Sequence, residues 1–325
     1  MLRERAALVI IGGGPTGLSA AREAAKRGLK EIIILEREAE AGGAPRHCGH
    51  LGFGLQDFGH MWTGPRYANH LRSLMAGFDL RCSHAVTGLA AGGLIEVSGP
   101  QGSYSIQAQR VLLATGIYEK TCAARLVTGA RPFGILTTGA LQRFVYLHGR
   151  IPFRTPVVVG TEIVAYSTIL TLRRFGARPV AFIEVSNRLQ TSVFVPLGAR
   201  LMFGVPSLTE VRVVSIDGEE KVEAVTIEDK NGLRTLPCDG VVFSGDWVPE
   251  TTLVRSSHIA IDRATQGPAI DTRYRTQDPL VFAAGNVLRS ARSASSCALE
   301  GRAAARFIVA DLERRLRTLE IELRS

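Results

Sequence analysis

The sequence predicts an α/β protein that carries one strand–helix–strand unit twice. Each copy begins with an apolar run that ends at a glycine turn, continues as a helix pattern, and closes with a second apolar run that ends in an acid. The first copy runs from Gly12 to Glu36 and the second from Gly160 to Glu184. The residues of each pair lie 24 positions apart. Internal duplication of a Rossmann-like dinucleotide-binding unit is the simplest explanation.

The first copy has a physical reason for each glycine of its turn. Residues 6–11 are apolar throughout, as a strand buried on both faces requires. Gly12 makes the tight turn, Gly14 lets a pyrophosphate approach the backbone, and Gly17 lets the helix and the strand pack closely. We expect the pyrophosphate on the helix N-terminus, where free N–H groups and the dipole favour an anion. Glu36 is placed to accept hydrogen bonds from ribose hydroxyls.

The second copy has lost two of these glycines. Glu162 and Ala165 stand at the positions that match Gly14 and Gly17. Alanine still permits fairly close packing, but Glu162 places a Cβ and a carboxylate where a pyrophosphate needs bare backbone, and like charges repel. We therefore expect the second unit to keep the fold and to bind NAD(P)H poorly or not at all.

Other patterns extend this organisation along the chain. A helix is expected after Thr63 with Pro65 in its first turn, and a hairpin is expected at Asn231–Gly232 between alternating strands. Separate strands are predicted over 103–107 and 110–116, and further strands over 212–216, 222–229, 233–236, 241–246 and 278–286. The closing helix is predicted over 296–314.

Length, charge and hydropathy exclude several classes of protein. A chain of 325 residues suggests two domains, and 46% hydrophobic residues with 34 glycines suit an α/β protein. The net charge of +9 is spread along the chain without a basic run interleaved with aromatics, so no nucleic-acid partner is expected. No stretch approaches the ~20 apolar residues of a transmembrane helix, and no signal peptide precedes the first strand. These features predict a cytoplasmic protein, held at the inner membrane only through partners.

The cysteines and histidines do not form a recognisable metal or redox motif. The five cysteines are dispersed, and no two are spaced as CxxC or CxxxxC. His47, Cys48, His50 and His60 lie within one region, but their spacing lacks the paired pattern of a zinc site. We expect no metal, and we interpret this region as a loop beside the cofactor.

These motifs together resemble the two-dinucleotide-domain flavoproteins of the pyridine nucleotide–disulfide oxidoreductase fold, over nearly the whole chain. The resemblance implies that the first copy binds FAD, within a domain formed by 1–120 and 270–325. It implies an inserted NAD(P)-type domain over 150–250. Residues 282–286 resemble the late motif where an aspartate meets the FAD ribityl chain. Asn286 stands at that position here and can still hydrogen-bond a hydroxyl.

Three stretches resemble a narrower group within that fold, namely 45–50, 136–142 and 297–302. The group is the FAD-containing α subunit of multi-subunit dye-linked amine and amino-acid dehydrogenases, which include opine oxidase, hydrogen cyanide synthase and hydroxyproline or proline dehydrogenases. This resemblance implies two partners, a small iron–sulfur protein and an amino-acid-oxidase-like FAD subunit that oxidises the C–N bond. FMN or an iron–sulfur cluster is expected on those partners, because the cysteine-rich extension of larger members does not follow residue 302 in this sequence.

The motifs and the resemblance together define a set of expected cofactor-binding residues. In such proteins the helix that starts at 296–298 faces the pyrimidine end of the flavin, and no catalytic acid or base is assigned. The expected residues are Gly12, Gly14, Pro15, Thr16, Gly17, Glu36, Arg37, Gly43, Ala44, Arg46, His47, Val86, Thr115, Gly116, Gly285, Asn286, Cys297 and Ala298.

Three functions remain open at this point. The leading hypothesis is a flavoprotein subunit that carries electrons within an amine or amino-acid dehydrogenase complex. The first alternative is a stand-alone NAD(P)H-dependent flavin reductase, which Glu162 and the missing cysteine pair oppose. The second alternative is a subunit whose nucleotide site holds ADP or ATP in place of FAD, which Asn286 keeps open.

Overall fold

A computed structural model describes residues 3–192 and 194–322 of the chain. The strands are β1 (Arg3–Ile11), β2 (Ile32–Glu36), β3 (Leu51–Phe53), β4 (Trp62–Thr63), β5 (Asp79–Cys82), β6 (Ala85–Ala90), β7 (Leu94–Gly99), β8 (Gly102–Leu113), β9 (Ile117–Glu119), β10 (Thr128–Gly129), β11 (Ile135–Thr137), β12 (Val157–Val159), β13 (Phe182–Ile183), β14 (Ser207–Leu208), β15 (Arg212–Asp217), β16 (Ala224–Asp229), β17 (Gly232–Pro237), β18 (Val241–Phe243), β19 (Trp247–Pro249) and β20 (Val281–Ala283). The helices are α1 (Pro15–Lys26), α2 (Leu55–Phe58), α3 (Gly64–Ser73), α4 (Thr138–His148), α5 (Ile163–Arg174), α6 (Phe194–Phe203), α7 (Thr252–Arg255) and α8 (Ala294–Glu322).

The chain divides into two compact units. The first unit combines the residues up to 46 with 51–117 and the residues from 248 onward, and the second unit combines 47–50 with 118–247. None of the helices in the described ranges is long and apolar enough to cross a membrane.

The first unit is built on a parallel sheet in the order β20–β8–β1–β2–β5. The central strands are completely buried, with Leu8, Ile10 and Leu112 at 0% exposure. This burial explains why their sequences are apolar at every position instead of alternating. Helix α1 packs between the sheet and α8, and its side chains Leu18, Ala21 and Ala24 belong to the same core as Ala304 and Ile308.

The second unit repeats that arrangement with a parallel sheet in the order β11–β18–β12–β13–β14. Position by position, β12, β13 and β14 correspond to β1, β2 and β5, and α5 corresponds to α1. Each unit also carries an antiparallel meander, β7–β6 beside β8 in the first and β15–β16–β17 in the second. The predicted α/β class with two Rossmann-like units is therefore confirmed, and the sequence repeat is also a repeat of topology.

Several predicted elements differ from the structure. The strands predicted over 241–246 and 278–286 are shorter, β18 (Val241–Phe243) and β20 (Val281–Ala283), and a 3-10 helix over Gly285–Leu288 follows β20. The strands predicted over 103–107 and 110–116 are one strand, β8, because its first half pairs with antiparallel β7 and its second half with parallel β20. The change of partner explains the change from a mixed to an apolar sequence. The closing helix begins two residues earlier and ends eight residues later than predicted, since no glycine or proline follows Arg314 to stop it.

Candidate functional site

The first glycine turn is held together by close backbone contacts. Gly12 has φ of +115°, and a Cβ there would lie 2.3 Å from the carbonyl oxygen of Ala114. A Cβ on Gly17 would lie 2.0 Å from the carbonyl oxygen of Gly12. Real Cβ atoms do not approach oxygen so closely, so both positions accept only glycine without a shift of the backbone.

Gly14 differs from these two glycines. Its φ of −83° is open to any residue, and a Cβ there would meet only the Cα of Gly43, at 3.9 Å, apart from its chain neighbours. No side chain of the described residues caps the N-terminus of α1 that Gly14 begins. The missing side chain therefore leaves the first N–H groups of the helix accessible, and such groups bind phosphate.

Glu36 lies at the end of β2 beside this turn and is 8% exposed. Its carboxylate accepts a hydrogen bond of 2.8 Å from the backbone N–H of Gly13 and one of 2.9 Å from that of Glu38. Two backbone donors therefore orient the acid next to the helix N-terminus. A carboxylate has about four acceptor positions, so this geometry leaves Glu36 able to bind a ribose hydroxyl.

The double glycine at 42–43 packs against the turn itself. The N–H of Gly42 donates to the carbonyl of Gly13 at 2.7 Å, and a Cβ on Gly43, which has φ of +61°, would lie 3.0 Å from the Cα of Gly14. The 3-10 helix Ala44–His47 follows, and within it Arg46 pairs with Glu38 at 2.8 Å. This loop therefore borders the turn through backbone contacts.

Thr115 and Gly116, which follow β8, are fixed by Glu250. The Thr115 hydroxyl donates to the Glu250 carbonyl at 2.7 Å, and the Glu250 N–H donates to the Gly116 carbonyl at 2.9 Å. Arg37 pairs with the Glu250 carboxylate at 3.3 Å. Burial opposes ionisation of Glu250, but bonds from Thr252 and Arg37 outweigh it and lower the pKa. The sequence carries no signal for Glu250 at this place, because it lies 135 residues from Thr115.

The beginning of α8 converges on α1 through two further glycines. A Cβ on Gly285 would lie 2.2 Å from Thr16 Oγ1, and a Cβ on Gly301 would lie 2.2 Å from the Thr16 carbonyl oxygen. Burial raises the pKa of the Cys297 thiol to about 11, although the Thr16 side chain donates to its sulfur. Cys297 is therefore a buried neutral thiol beside the turn.

Asn286 is held by the backbone of the same loop. Its Oδ1 accepts from the N–H of Arg292 at 2.9 Å, and its Nδ2 donates to the Arg292 carbonyl at 3.2 Å. Glu300, which the sequence analysis assigned no role, binds the adjacent N–H of Gly285 at 2.9 Å and Arg289 at 2.5 Å. Glu300 therefore orders the loop between β20 and α8, and its only sequence signal was its place in the stretch 297–302.

Three further predicted residues lie in α8, in β6 and in the 3-10 helix that follows Gly43. Ala298 is completely buried in the first turns of α8, and Val86 lies in β6, two residues after His84, whose N–H binds the Glu36 carbonyl at 2.9 Å. His47 is the last residue of the 3-10 helix Ala44–His47. No cluster of metal-binding side chains is present among the described residues.

The second glycine turn has the same frame but is filled by Glu162. Gly160 has φ of +119° and Glu162 begins α5 with φ of −74°. The Ser244 hydroxyl donates to Glu162 Oε1 at 2.5 Å, and a Cβ on Gly245 would lie 3.4–3.5 Å from the same carboxylate. Burial raises the pKa of Glu162, against the effect of the Ser244 bond. The carboxylate thus lies against the turn, where a pyrophosphate would have to bind.

Glu184, the acid that ends the second copy, already accepts hydrogen bonds from neighbouring side chains. Glu184 accepts hydrogen bonds from Thr161 Oγ1 at 2.5 Å and from Ser186 Oγ at 2.9 Å. Beyond it lies a cavity of about 480 Å³, lined by Val185, Asn187, Glu210, Val211, Arg212, Glu228 and Asp229. Three carboxylates in this lining oppose a ligand that carries phosphate there.

The first unit therefore has the donor set of a dinucleotide site and the second does not. An uncapped helix N-terminus without a side chain at its first residue suits a diphosphate, and an oriented carboxylate suits a ribose. The residues of the first unit could accordingly hold FAD, and Gly14, Thr16 and Glu36 are the ones that would contact it at the diphosphate and the ribose. In the second unit, Glu162 stands at the position that Gly14 leaves open in the first, and it adds a carboxylate there.

Comparisons with known proteins agree with this geometry. The chain matches the pyridine nucleotide-disulphide oxidoreductase family over residues 6–301. It is 28% identical to the alpha subunit of sarcosine oxidase from Corynebacterium sp. (strain P-1) over 233 residues, which cover 66% of this chain and 23% of that one. It is 23% identical to an opine oxidase subunit of Rhizobium meliloti over 354 residues, which cover 96% of this chain and 64% of that one. The chain thus spans less than two thirds of the length of these relatives.

A solved structure shows the same fold. Thioredoxin reductase of T. acidophilum superposes with a TM-score of 0.79 at 22% identity, over 95% of this chain and 99% of that one. Members of the matched family are FAD-binding flavoproteins. The chain belongs to the pyridine nucleotide-disulphide oxidoreductase family and takes FAD as its cofactor.

Proposed function

We propose that the chain is the FAD subunit that carries electrons within an amine or amino-acid dehydrogenase complex. Its substrates would be CH–NH or CH–NH₂ donors of the opine, proline or hydroxyproline type. Its partners would be a small iron–sulfur protein and an amino-acid-oxidase-like FAD subunit, with FMN or a cluster on those partners. The complex would work in the cytoplasm, held at the inner membrane through its partners.

The observation that carries this proposal is the closed second turn. A stand-alone reductase of this fold needs a nicotinamide nucleotide at its second unit, and the Glu162 carboxylate lies against the turn where that pyrophosphate would bind. The sequence also has no cysteine pair at the spacing of a redox disulfide. Electrons must then come from another donor, and a partner subunit that oxidises an amine supplies one.

The names of the relatives support the same function. The sarcosine oxidase and opine oxidase relatives are both named as subunits of oxidases that act on amines or amino-acid derivatives. A thioredoxin reductase of Mycolicibacterium smegmatis is also 27% identical over 290 residues, so the names of the relatives do not select the electron donor and the proposal rests on the second turn.

FAD supplies the redox chemistry when it is bound, and the chain supplies position and charge. The first N–H groups of α1 would bind the diphosphate, and Glu36 would orient the adenosine ribose. Arg289 and Glu300 hold the Gly285–Asn286 loop, which would order the ribityl side. No described side chain of the first unit is assigned a proton transfer.

The test is anaerobic reduction of the purified flavoprotein. Neither NADH nor NADPH should bleach the flavin band rapidly, whereas the chain co-purified through an affinity tag with its partners should be bleached by an amine or imino-acid substrate. Rapid bleaching of the isolated chain by either nucleotide would sink the proposal in favour of a stand-alone reductase. Purified protein that has adenine absorbance but no flavin band would contradict FAD as the bound cofactor. It would favour the alternative in which the site holds ADP or ATP.

A further inference from the structure

Helix α6 has an outer face that the fold does not require. It corresponds to α3, because α3 lies between β2 and β5 and α6 lies between the equivalent strands β13 and β14. The exposed residues of α3 are polar and include Arg66, Asn69 and Ser73. The exposed residues of α6 are almost all apolar, namely Phe194, Leu197, Leu201 and Met202.

The opposite side of α6 already packs on the core of the second unit. Pro196 and Ala199 are buried there. Leu201 and Met202 are nevertheless 75% and 72% exposed. A helix that is apolar on all sides is normally covered on all sides, so this one lacks a cover on its outer face.

Helix α5 extends the same face. The Arg173 guanidinium lies 4.7 Å from the ring centroid of Phe203, the last residue of α6, so the two helix ends are in contact. Leu170 lies one turn before Arg173 and is 54% exposed. We call Leu170, Phe194, Leu197, Leu201 and Met202 the outer apolar face.

The stretch of chain that carries this face is rich in arginine. Between 163 and 209 the sequence holds a single carboxylate, that of Glu184, which is buried and bonded to Thr161. The same stretch holds five arginines, all exposed, namely Arg173, Arg174, Arg178, Arg188 and Arg200. Two of these arginines lie at the outer apolar face, because Arg173 contacts Phe203 and Arg200 is an exposed residue of α6 itself.

We propose that the outer apolar face docks directly on an anionic lipid surface. Aliphatic and phenyl side chains enter the boundary between headgroups and acyl chains, to a depth of about 5–10 Å, while arginines bind lipid phosphates. Helix α6 has 10 residues and is about 15 Å long, so it can lie in that plane. The net charge of +9 adds attraction to an anionic surface.

The composition of the face favours lipid over a protein partner. Protein interfaces carry about one hydrogen bond per 100–200 Å². The five side chains of the outer apolar face have no hydrogen-bonding group, and the arginines beside them can only donate. Lipid phosphates provide acceptors everywhere, whereas a protein would have to match each arginine with a placed acceptor. This contact goes beyond the proposed function, in which partners hold the chain at a membrane.

The experiment is co-sedimentation of the purified flavin-loaded chain with vesicles. One set is a mixture of phosphatidylcholine and phosphatidylglycerol, and the other is phosphatidylcholine alone. The parent should bind the mixed vesicles, and added salt should weaken that binding. Leu201→Gln combined with Met202→Gln should lower the partition coefficient about tenfold or more, because two apolar side chains no longer insert. Leu233→Gln, which changes a residue that is 66% exposed in β17 of the same unit, should leave binding unchanged.

Each other result overturns the proposal. Parent protein that stays in the supernatant with mixed vesicles contradicts it, as does a double variant that binds like the parent. A double variant that keeps its vesicle binding but loses a co-purifying subunit would assign the face to a protein. Unchanged flavin content and circular dichroism show that the variants are folded. Electron transfer is not measured, so failure here leaves the proposed function standing.

Discussion

The two glycine turns have nearly the same backbone and opposite chemistry. Gly12 and Gly160 have φ of +115° and +119°, and the residues two positions later begin helices with φ of −83° and −74°. At the first turn that residue is Gly14, and at the second it is Glu162. Because glutamate adopts the same φ, conformation does not require glycine at position 14. Access for a ligand does.

The two units also resemble each other in the backbone that follows Glu36 and Glu184. The N–H of Ser83 binds the carbonyl of Glu38 at 2.8 Å, and at the equivalent place the N–H of Glu210 binds that of Ser186 at 3.1 Å. Ser83 and Glu210 share a left-handed φ of 59° and 58°. The second unit therefore keeps the frame of a nucleotide site and fills its ligand positions with the chain's own side chains.

The largest expected effect comes from copying the second turn into the first. Gly14→Glu should strongly weaken FAD binding, because it places a carboxylate where the diphosphate would bind while the backbone accepts the residue without strain. We expect a loss of affinity of about a hundredfold or more, equal to about 2.7 kcal/mol. Flavin absorbance per purified chain measures it.

The matched control is Gly14→Ala. Its Cβ would lie 3.9 Å from the nearest non-neighbouring atom, so the chain should fold with a smaller loss of flavin than Gly14→Glu. Full flavin content in a folded Gly14→Glu protein would show that the diphosphate does not bind at this turn.

A second helix of the second unit also binds one of the chain's own carboxylates. The N–H of Gly139, in the first turn of α4, donates to Glu119 Oε2 at 2.6 Å. Burial raises the pKa of Glu119 to about 7, although the bond from Gly139 opposes the increase. The folded state therefore holds the proton more tightly than the unfolded state, whose pKa is near 4.5. This contribution to stability is complete below pH 4.5 and is lost as the pH rises through 7.

Glu119→Gln should remove the loss of stability that the parent shows as the pH rises. Above pH 7 the variant should exceed the parent in free energy of unfolding by up to about 3 kcal/mol, and the difference should disappear towards pH 4.5. Urea titrations of both proteins at several pH values measure the difference. A constant difference across the range would mean that the pKa of Glu119 is the same in the folded and the unfolded state.

The sequence was sufficient for the repeated units because their evidence is local. Apolar runs, glycines and acids at fixed spacing report strands buried on both faces and tight turns, and both copies appear at the predicted places. Glu162 was likewise readable by alignment of the chain with itself. The blocking of the second turn thus required no knowledge of distant contacts.

The contacts that complete the site were not readable. Glu250 binds Thr115, and Glu300 binds Gly285, through pairings that exist only after the chain has folded. Gly43 was predicted to bind the cofactor, but its close contact with Gly14 could not be predicted from the sequence. The periodicity of apolar residues shows which face of an element is buried. It does not show which two segments of buried backbone contact each other.

A smaller effect is expected where the two turns differ in packing. Gly17→Ala should destabilise the protein by about 1–3 kcal/mol, since its Cβ would lie 2.0 Å from the Gly12 carbonyl oxygen. The second copy already carries Ala165 at this position, completely buried. Ala165→Gly should cost only about 1 kcal/mol, through helix propensity. Thermal unfolding of both variants makes the comparison, and equal losses would show that the two turns are packed alike.

A limited effect is expected from the partial restoration of the second turn. Glu162→Gly removes the carboxylate and the Cβ, so NADH affinity should rise about tenfold, equal to about 1.4 kcal/mol, in a fluorescence titration. The gain is limited because Thr161 and Ser186 still occupy Glu184. Glu162→Gln keeps the volume and removes the charge, so it separates repulsion from obstruction. If neither variant gains affinity, the acid at position 184 and not the turn is what excludes the nucleotide.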